Sequence, residues 1–155
     1  MSIEVRRCLS EGDLDAVTPL CVAHAAYEEL AFDPEGFASR LFPHTQGDAP
    51  PVYLWAARRE GMLVGYSAAN VQFSTLSASE YMHLDCLFVT DAARSRGVGA
   101  QLLAAVAKLA RTLHLEHLEW QTPIWNDRAR RFYERLGAVS LDKSRFSVRT
   151  TDLRV

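Results

Sequence analysis

The chain has 155 residues, 48% of them hydrophobic, and a formal net charge of -2. This is the size of one ordinary domain with apolar side chains enough for its own core, so a single domain over residues 1–155 is expected. There is no Lys/Arg run of five or more, and no apolar stretch nears the roughly 18–20 residues that cross a bilayer; nucleic acid and membrane are excluded as expected partners, and a cytoplasmic location is expected.

Residues 3–8 alternate as a first strand. Ser10, with Asp13 three positions on, reads as a capping box opening a helix. Leu14, Val17, Cys21, His24 and Ala25 then recur at helical spacing, and Pro19 marks a kink. Asp33-Pro34-Glu35 is a second start signal with Pro at the first helical position; Phe37 and Leu41 lie one turn apart, and a short helix runs to about Phe42. Residues 44–51, rich in Pro, Gly and Asp, read as a loop.

Residues 52–57 and 62–73 are strand-like runs around Arg58-Arg59-Glu60-Gly61, a hairpin whose Gly can take positive φ. Residues 80–89 form a further strand whose apolar end suits the middle of a sheet. From Val98 to about Leu113 the apolar residues keep to one helical face. A strand over 117–122, a helix over 126–136 closed by Gly137, and a terminal strand region over about 139–148 follow. The order β-α-α-β-β-β-α-β-α-β mixes hairpins with βα units, which implies an α+β class with a sheet only partly parallel.

Cys8, Cys21 and Cys86 lie far apart without C-x-x-C spacing and read as reduced packing residues. His24, His44, His83, His114 and His117 make no H-x-x-x-H or H-E-x-x-H motif, and no metal is expected.

The most informative stretch is 87–100, where a strand turns tightly into a helix. Gly97 and Gly99 stand where backbone N–H groups are left without partners, at the positive end of the helix dipole, and Arg94 and Arg96 add charge nearby. A packing turn would use the same two glycines. The dinucleotide pattern G-x-G-x-x-G fails because Leu102 stands at its third Gly, and no G-K-[ST] exists for a P-loop.

The pattern Arg94-x-x-Gly97-x-Gly99 between strand and helix, the strand after it, and then W-N-x-x-A-x-x-F-Y-x-x-x-G-A over 125–138 together resemble the GNAT N-acetyltransferase superfamily. The last segment and Tyr27-Glu28 late in the first helix look most like its diamine and polyamine members, the spermidine/spermine and thialysine N-acetyltransferases. The resemblance implies the GNAT fold, a mixed six- to seven-stranded sheet flanked by about four helices. It also implies acetyl-CoA (coenzyme A) as cofactor, direct acetyl transfer to a primary amine of a small cationic molecule, and a homodimer.

Carried onto this chain, Leu87, Phe88 and Val89 would offer main-chain groups to the pantetheine arm, while Arg94, Ser95, Arg96, Gly97, Val98, Gly99 and Ala100 wrap the pyrophosphate. Asn126 and Ala129 would lie near the cofactor, with helix capping the rival role for Asn126. Tyr133 matches the Tyr that protonates the departing thiolate. Asp85 stands at the family's strand-four Glu, one methylene shorter, and serves as proton acceptor or as electrostatic anchor; Cys86 replaces the family's second acid. Tyr27, Glu28, Asp85, Glu119, Trp120 and Gln121 are the candidate acceptor-binding residues, with Trp120 free either to stack on an alkylammonium or simply to pack. Aminoglycoside N-acetylation is the alternative function, ahead of protein or peptide N-acetylation and of a noncatalytic acyl-CoA-binding module.

Overall fold

The computed structural model describes residues 2–154, which divide into two compact units, up to Gln121 and from Thr122 onward. The first unit carries one five-stranded sheet in the order β1-β2-β3-β4-β5. Its strands are β1 (Ile3–Arg7), β2 (Tyr53–Arg59), β3 (Met62–Ser74), β4 (Ser79–Val89) and β5 (Leu118–Trp120). The first four pair antiparallel and β5 joins β4 in parallel, so the sheet is mixed as expected.

Helix α1 (Glu11–Tyr27) opens with the expected capping box. Ser10 Oγ accepts from the Asp13 N–H at 3.1 Å, and Asp13 Oδ2 accepts from the N–H groups of Leu9 and Ser10, each at 3.0 Å. Those N–H groups, Leu9's first, hold the Asp13 carboxyl below its ordinary value; the stabilisation this brings is present above the ordinary carboxyl pKa and fades as pH falls through the depressed one. The helix runs through Pro19 as one 17-residue element and buries Leu14, Val17, Leu20 and Cys21.

Helix α2 (Phe37–Leu41) starts later than Asp33-Pro34-Glu35 suggests. Asp33 Oδ1 accepts from the Glu35 N–H at 3.0 Å, and Gly36 takes φ 60°, so the chain turns once before it coils. A 3-10 turn (Phe42–Thr45) continues it into what reads as loop. The β2–β3 hairpin closes through Glu60 and Gly61, both at positive φ (53° and 79°), the combination a two-residue type I′ loop requires.

Helix α3 (Val98–Thr112) lies on one face of the sheet, and Val98, Leu102, Leu103, Val106 and Ala110 pack with Tyr53, Trp55, Met82 and Leu84. Helices α1 and α2 cover the other face, where Leu14, Val17, Cys21 and Ala38 meet Leu54, Tyr66, Ala68 and Phe88. Strand β4 changes faces partway along. Its register with β3 runs Leu84 to Ala69 and then Cys86 to Ala68, leaving Asp85 as an extra residue. Before this β-bulge Met82 and Leu84 face α3; after it Cys86 and Phe88 face α1, and Leu87 and Val89 face α3.

The second unit holds α4 (Asp127–Arg135). Gly137 closes it at φ 89°, with its N–H on the Glu134 carbonyl (3.0 Å) and the Ala138 N–H on the Tyr133 carbonyl (3.1 Å), a Schellman end. The terminal strand expected over 139–148 does not form, and with five strands the sheet falls short of the six to seven expected. Val139 and Phe146 are 97% and 92% exposed. The polar run Asp142-Lys143-Ser144-Arg145 separates Val139 and Leu141 from Phe146 and Val148, so the segment presents no continuous apolar face as a strand would. No helix among the described residues is long and apolar enough to cross a membrane.

Candidate active site

Between β4 and α3 the chain makes one 3-10 turn (Asp91–Ala93) and then two left-handed residues, Ser95 (φ 60°) and Gly97 (φ 85°). A Cβ built on Gly97 would meet Ile3 Cδ1 at 3.9 Å and nothing nearer, so the glycine answers a backbone conformation and not a want of space. The Gln101 N–H reaches the Gly97 carbonyl at 3.1 Å as the first bond of α3, and no described side chain caps the helix. The N–H groups of Val98, Gly99 and Ala100 therefore have no acceptor inside a helix of 15 residues, at its positive end. An exposed glycine turn followed by N–H groups without helical acceptors, with Arg96 beside it, fits the pyrophosphate of a coenzyme A.

Arg94 is engaged within the protein. Its Nε donates to the Val89 carbonyl at 2.9 Å, its guanidinium pairs with Asp91, and the same group lies 4.6 Å over the Tyr27 ring and 5.7 Å from that of Phe88. One guanidinium thus ties the turn to the end of β4 and to the last turn of α1.

On β4, Leu87, Phe88 and Val89 pair with Ser67, Tyr66 and Gly65 of β3. β5 takes up the opposite edge only from Met82 to Leu84. Past the bulge, no strand of the first unit covers that edge, which is the kind of open ladder an extended ligand arm can join. The side chains face the core while the edge is left to the backbone, so packing and ligand binding do not compete here.

Asp85 is exposed at the bulge, and its Oδ2 lies 3.8 Å from Cys86 Sγ. Burial, with the Asp85 charge adding to it, pushes the Cys86 thiol up to about 12. A thiol held protonated is a poor nucleophile, which disfavours an acetyl-cysteine route. Cys86 and Cys21 both reach the buried Tyr66 hydroxyl, and burial raises the Tyr66 pKa far above its ordinary value. Tyr66 Oη is 2.7 Å from His24 Nδ1, and His24 Nε2 is 3.3 Å from Glu28 Oε1. The His24 ring is stacked on Phe88, centroids 5.2 Å apart. Sequence reasoning places His24 on the inner face of α1 and gives Tyr66 no role; the pairing joins residues 42 positions apart, and only the i,i+4 spacing of His24 and Glu28 hints at it.

The remaining acceptor candidates separate. Glu119 stands in register with His83. Trp120 stands in register with Leu84 and packs on the α3 face, so the structure does not bring it to the face of Asp85 and Glu28. Gln121 follows as an exposed residue just past β5. In the second unit, Asn126 is buried and its Oδ1 accepts from the Ala129 N–H at 3.1 Å, the capping role. Tyr133 is half-buried on α4 beside Phe132, ring centroids 5.2 Å apart.

Residues 23–138 match the family described as "Acetyltransferase (GNAT) family". Among similar proteins, the N-acetyltransferase YhfO of Bacillus subtilis is 28% identical over 81% of this chain and 83% of its own length. The D-amino-acid N-acetyltransferase HPA3 of Saccharomyces cerevisiae is 30% identical over 90% of this chain and 86% of its own. Among solved structures, an aminoglycoside N-acetyltransferase in complex with CoA superposes with a TM-score of 0.81 at 18% identity, covering 96% of this chain and 95% of that one. The chain belongs to the GNAT acetyltransferase family and is an N-acetyltransferase that takes its acetyl group from acetyl-CoA to an amine.

Proposed function

We propose that the acceptor is a small cationic molecule with a primary amine on an alkyl chain, of the diamine or polyamine kind, and that transfer is direct. The observation that carries this reading is the position of Asp85. The bulge leaves it exposed where β4 parts from β5, next to the backbone edge at Leu87, Phe88 and Val89, and its charge and that of Glu28 both bear on Cys86. Two carboxylates on one side of the sheet suit a cation with more than one charge.

In this reading the chain is a single catalytic domain over residues 1–155. The N–H groups of Val98, Gly99 and Ala100, with Ser95, Gly97 and Arg96, hold the pyrophosphate, and Leu87, Phe88 and Val89 align the arm that follows. Arg94 acts through the turn it braces, and Asn126 through its cap on the Ala129 N–H. Acetyl-CoA supplies an activated thioester. Asp85 binds the ammonium group, whose pKa is about 10, and accepts its proton through water so that a neutral amine can attack. A backbone N–H near Val89 polarises the acetyl carbonyl. Tyr133 donates a proton to the departing sulfur. Tyr27, Glu28, Glu119 and Gln121 line the approach of the acceptor, and Trp120 serves the core.

A free-thiol release assay with acetyl-CoA against diamines, polyamines, thialysine, D-amino acids, aminoglycosides and peptides tests this. Turnover is expected on diamines or polyamines, and Asp85→Asn is expected to lower kcat/KM for the amine by about 10–100-fold. Turnover confined to aminoglycosides or peptides would overturn the acceptor class. Binding of acetyl-CoA without turnover on any amine would overturn the reading as a whole.

The same proposal includes a homodimer. Val139, Leu141, Phe146 and Val148 are exposed apolar residues in a segment with no partner strand among the described residues, and a second copy would supply one. Sedimentation is expected to give the dimer mass and Phe146→Glu the monomer mass; a monomeric parent protein would rule the dimer out.

A further inference from the structure

The geometry points to His24 as a positioning residue that fixes the Glu28 carboxylate toward the acceptor, with the buried Tyr66 hydroxyl setting the tautomer of its ring. This rests on the proposed contact between Glu28 and the amine.

A neutral imidazole has one N–H and one bare nitrogen. The Glu28 carboxylate can only accept, so with Nε2 at 3.3 Å from Oε1 the proton belongs on Nε2. Nδ1 is then bare and must accept, and Tyr66 Oη at 2.7 Å is the donor. Burial keeps the Tyr66 hydroxyl protonated, so its single O–H is committed to His24. Cys21 and Cys86 lie beside the same hydroxyl, and the Cys86 S–H is directed to Asp85 Oδ2. One buried hydroxyl therefore anchors Glu28 through His24.

Packing alone does not explain this. The surrounding cluster is Leu20, Leu54, Ala68 and Phe88, and an all-apolar set would fill the space without the cost of desolvating an imidazole and a phenol. Phe88 stacks on the ring and holds its plane, and the His24 side chain is only 12% exposed, so water does not compete for Nδ1. The polar pair connects the protein's interior to Glu28, and that connection is what positions the carboxylate.

Two measurements decide it. In long-range ¹⁵N–¹H spectra of the imidazoles, His24 is expected as the Nε2–H tautomer with a hydrogen-bonded Nδ1, and Tyr66→Phe is expected to move the Nδ1 resonance toward the unbonded position. The Nδ1–H tautomer, or no change in Tyr66→Phe, would refute the arrangement whatever the acceptor proves to be. In steady-state kinetics, His24→Leu and Tyr66→Phe are expected to raise KM for the amine about tenfold, equal to about 1.4 kcal/mol, with kcat and the KM for acetyl-CoA unchanged. His24→Gln, which keeps a donor for Glu28, is expected to recover most of the loss. An amine KM that does not move, or losses in kcat and both KM values that follow the fall in Tm, would reduce His24 to a packing residue. Should no amine be acetylated at all, the proposed acceptor class fails, and the spectra still judge the His24–Tyr66 pair on their own.

Discussion

Replacing Tyr133 by Phe is expected to lower kcat about 10²-fold while leaving the KM for acetyl-CoA nearly unchanged. The substitution removes one oxygen from a half-buried side chain and keeps the ring that lies 5.2 Å from Phe132, so the packing of α4 has little reason to change. The helix is also secured at both ends without the hydroxyl, by the Asn126 cap and by the Gly137 closure. In the proposed mechanism the hydroxyl supplies a proton as the C–S bond breaks. Coenzyme A's thiol, with a pKa near 8.5, already makes a fair leaving group, which is why the loss is about two orders of magnitude and not four. Steady-state kinetics on the amine identified by the thiol-release panel read it directly; a kcat within threefold of the parent value would remove Tyr133 from the chemistry.

Gly65→Ala is expected to cost about 2–3 kcal/mol of stability, or roughly 5–10 °C in Tm. A Cβ there would stand 2.7 Å from the Phe88 carbonyl oxygen, 3.2 Å from Leu102 Cδ1 and 3.4 Å from Val89 Cγ2. The two side chains can yield by a few tenths of an ångström. The carbonyl belongs to the β3–β4 ladder and can move only if the strand does. Gly97 is the opposite case, with space around it and a left-handed backbone; Gly65 has no left-handed backbone and no space. Because the displaced strand is the one proposed to align the cofactor's arm, the affinity for acetyl-CoA should fall along with the Tm. Thermal unfolding and a binding titration check both, and a Tm within 2 °C of the parent would mean the strands part more easily than their spacing implies.

The parts of this fold that rest on local chemistry are legible in the sequence. Ser10 and Asp13 announce the start of α1, Glu60-Gly61 the hairpin, Gly137 the end of α4, and one apolar face the whole of α3. The parts that depend on distant partners are not. Leu84, Cys86, Leu87, Phe88 and Val89 make a run so apolar that the change of face at Asp85 leaves no mark in it; the bulge becomes visible only when each residue is assigned to the α3 or α1 side. The segment over 139–148 carries apolar residues that suggest a strand, and among the described residues it pairs with none. Within the site, Arg94-x-x-Gly97-x-Gly99 can be read because the turn itself dictates the glycine. The inward engagement of Arg94 with Val89, Asp91 and Tyr27, and the link from His24 to Tyr66, arise from strands and helices meeting, which spacing does not encode.

The three cysteines bear on how this protein can be assayed. Cys8 and Cys21 are buried, and burial pushes the thiols of Cys8 and Cys86 up to about 12 and raises that of Cys21 as well. Disulfide reagents that report liberated coenzyme A are attacked by thiolates, and at neutral pH these three side chains hold almost none. The native enzyme is therefore nearly silent toward such a reagent, and the colour that develops belongs to the product. Unfolding removes the masking, so the same reagent added without any substrate counts molecules that have opened.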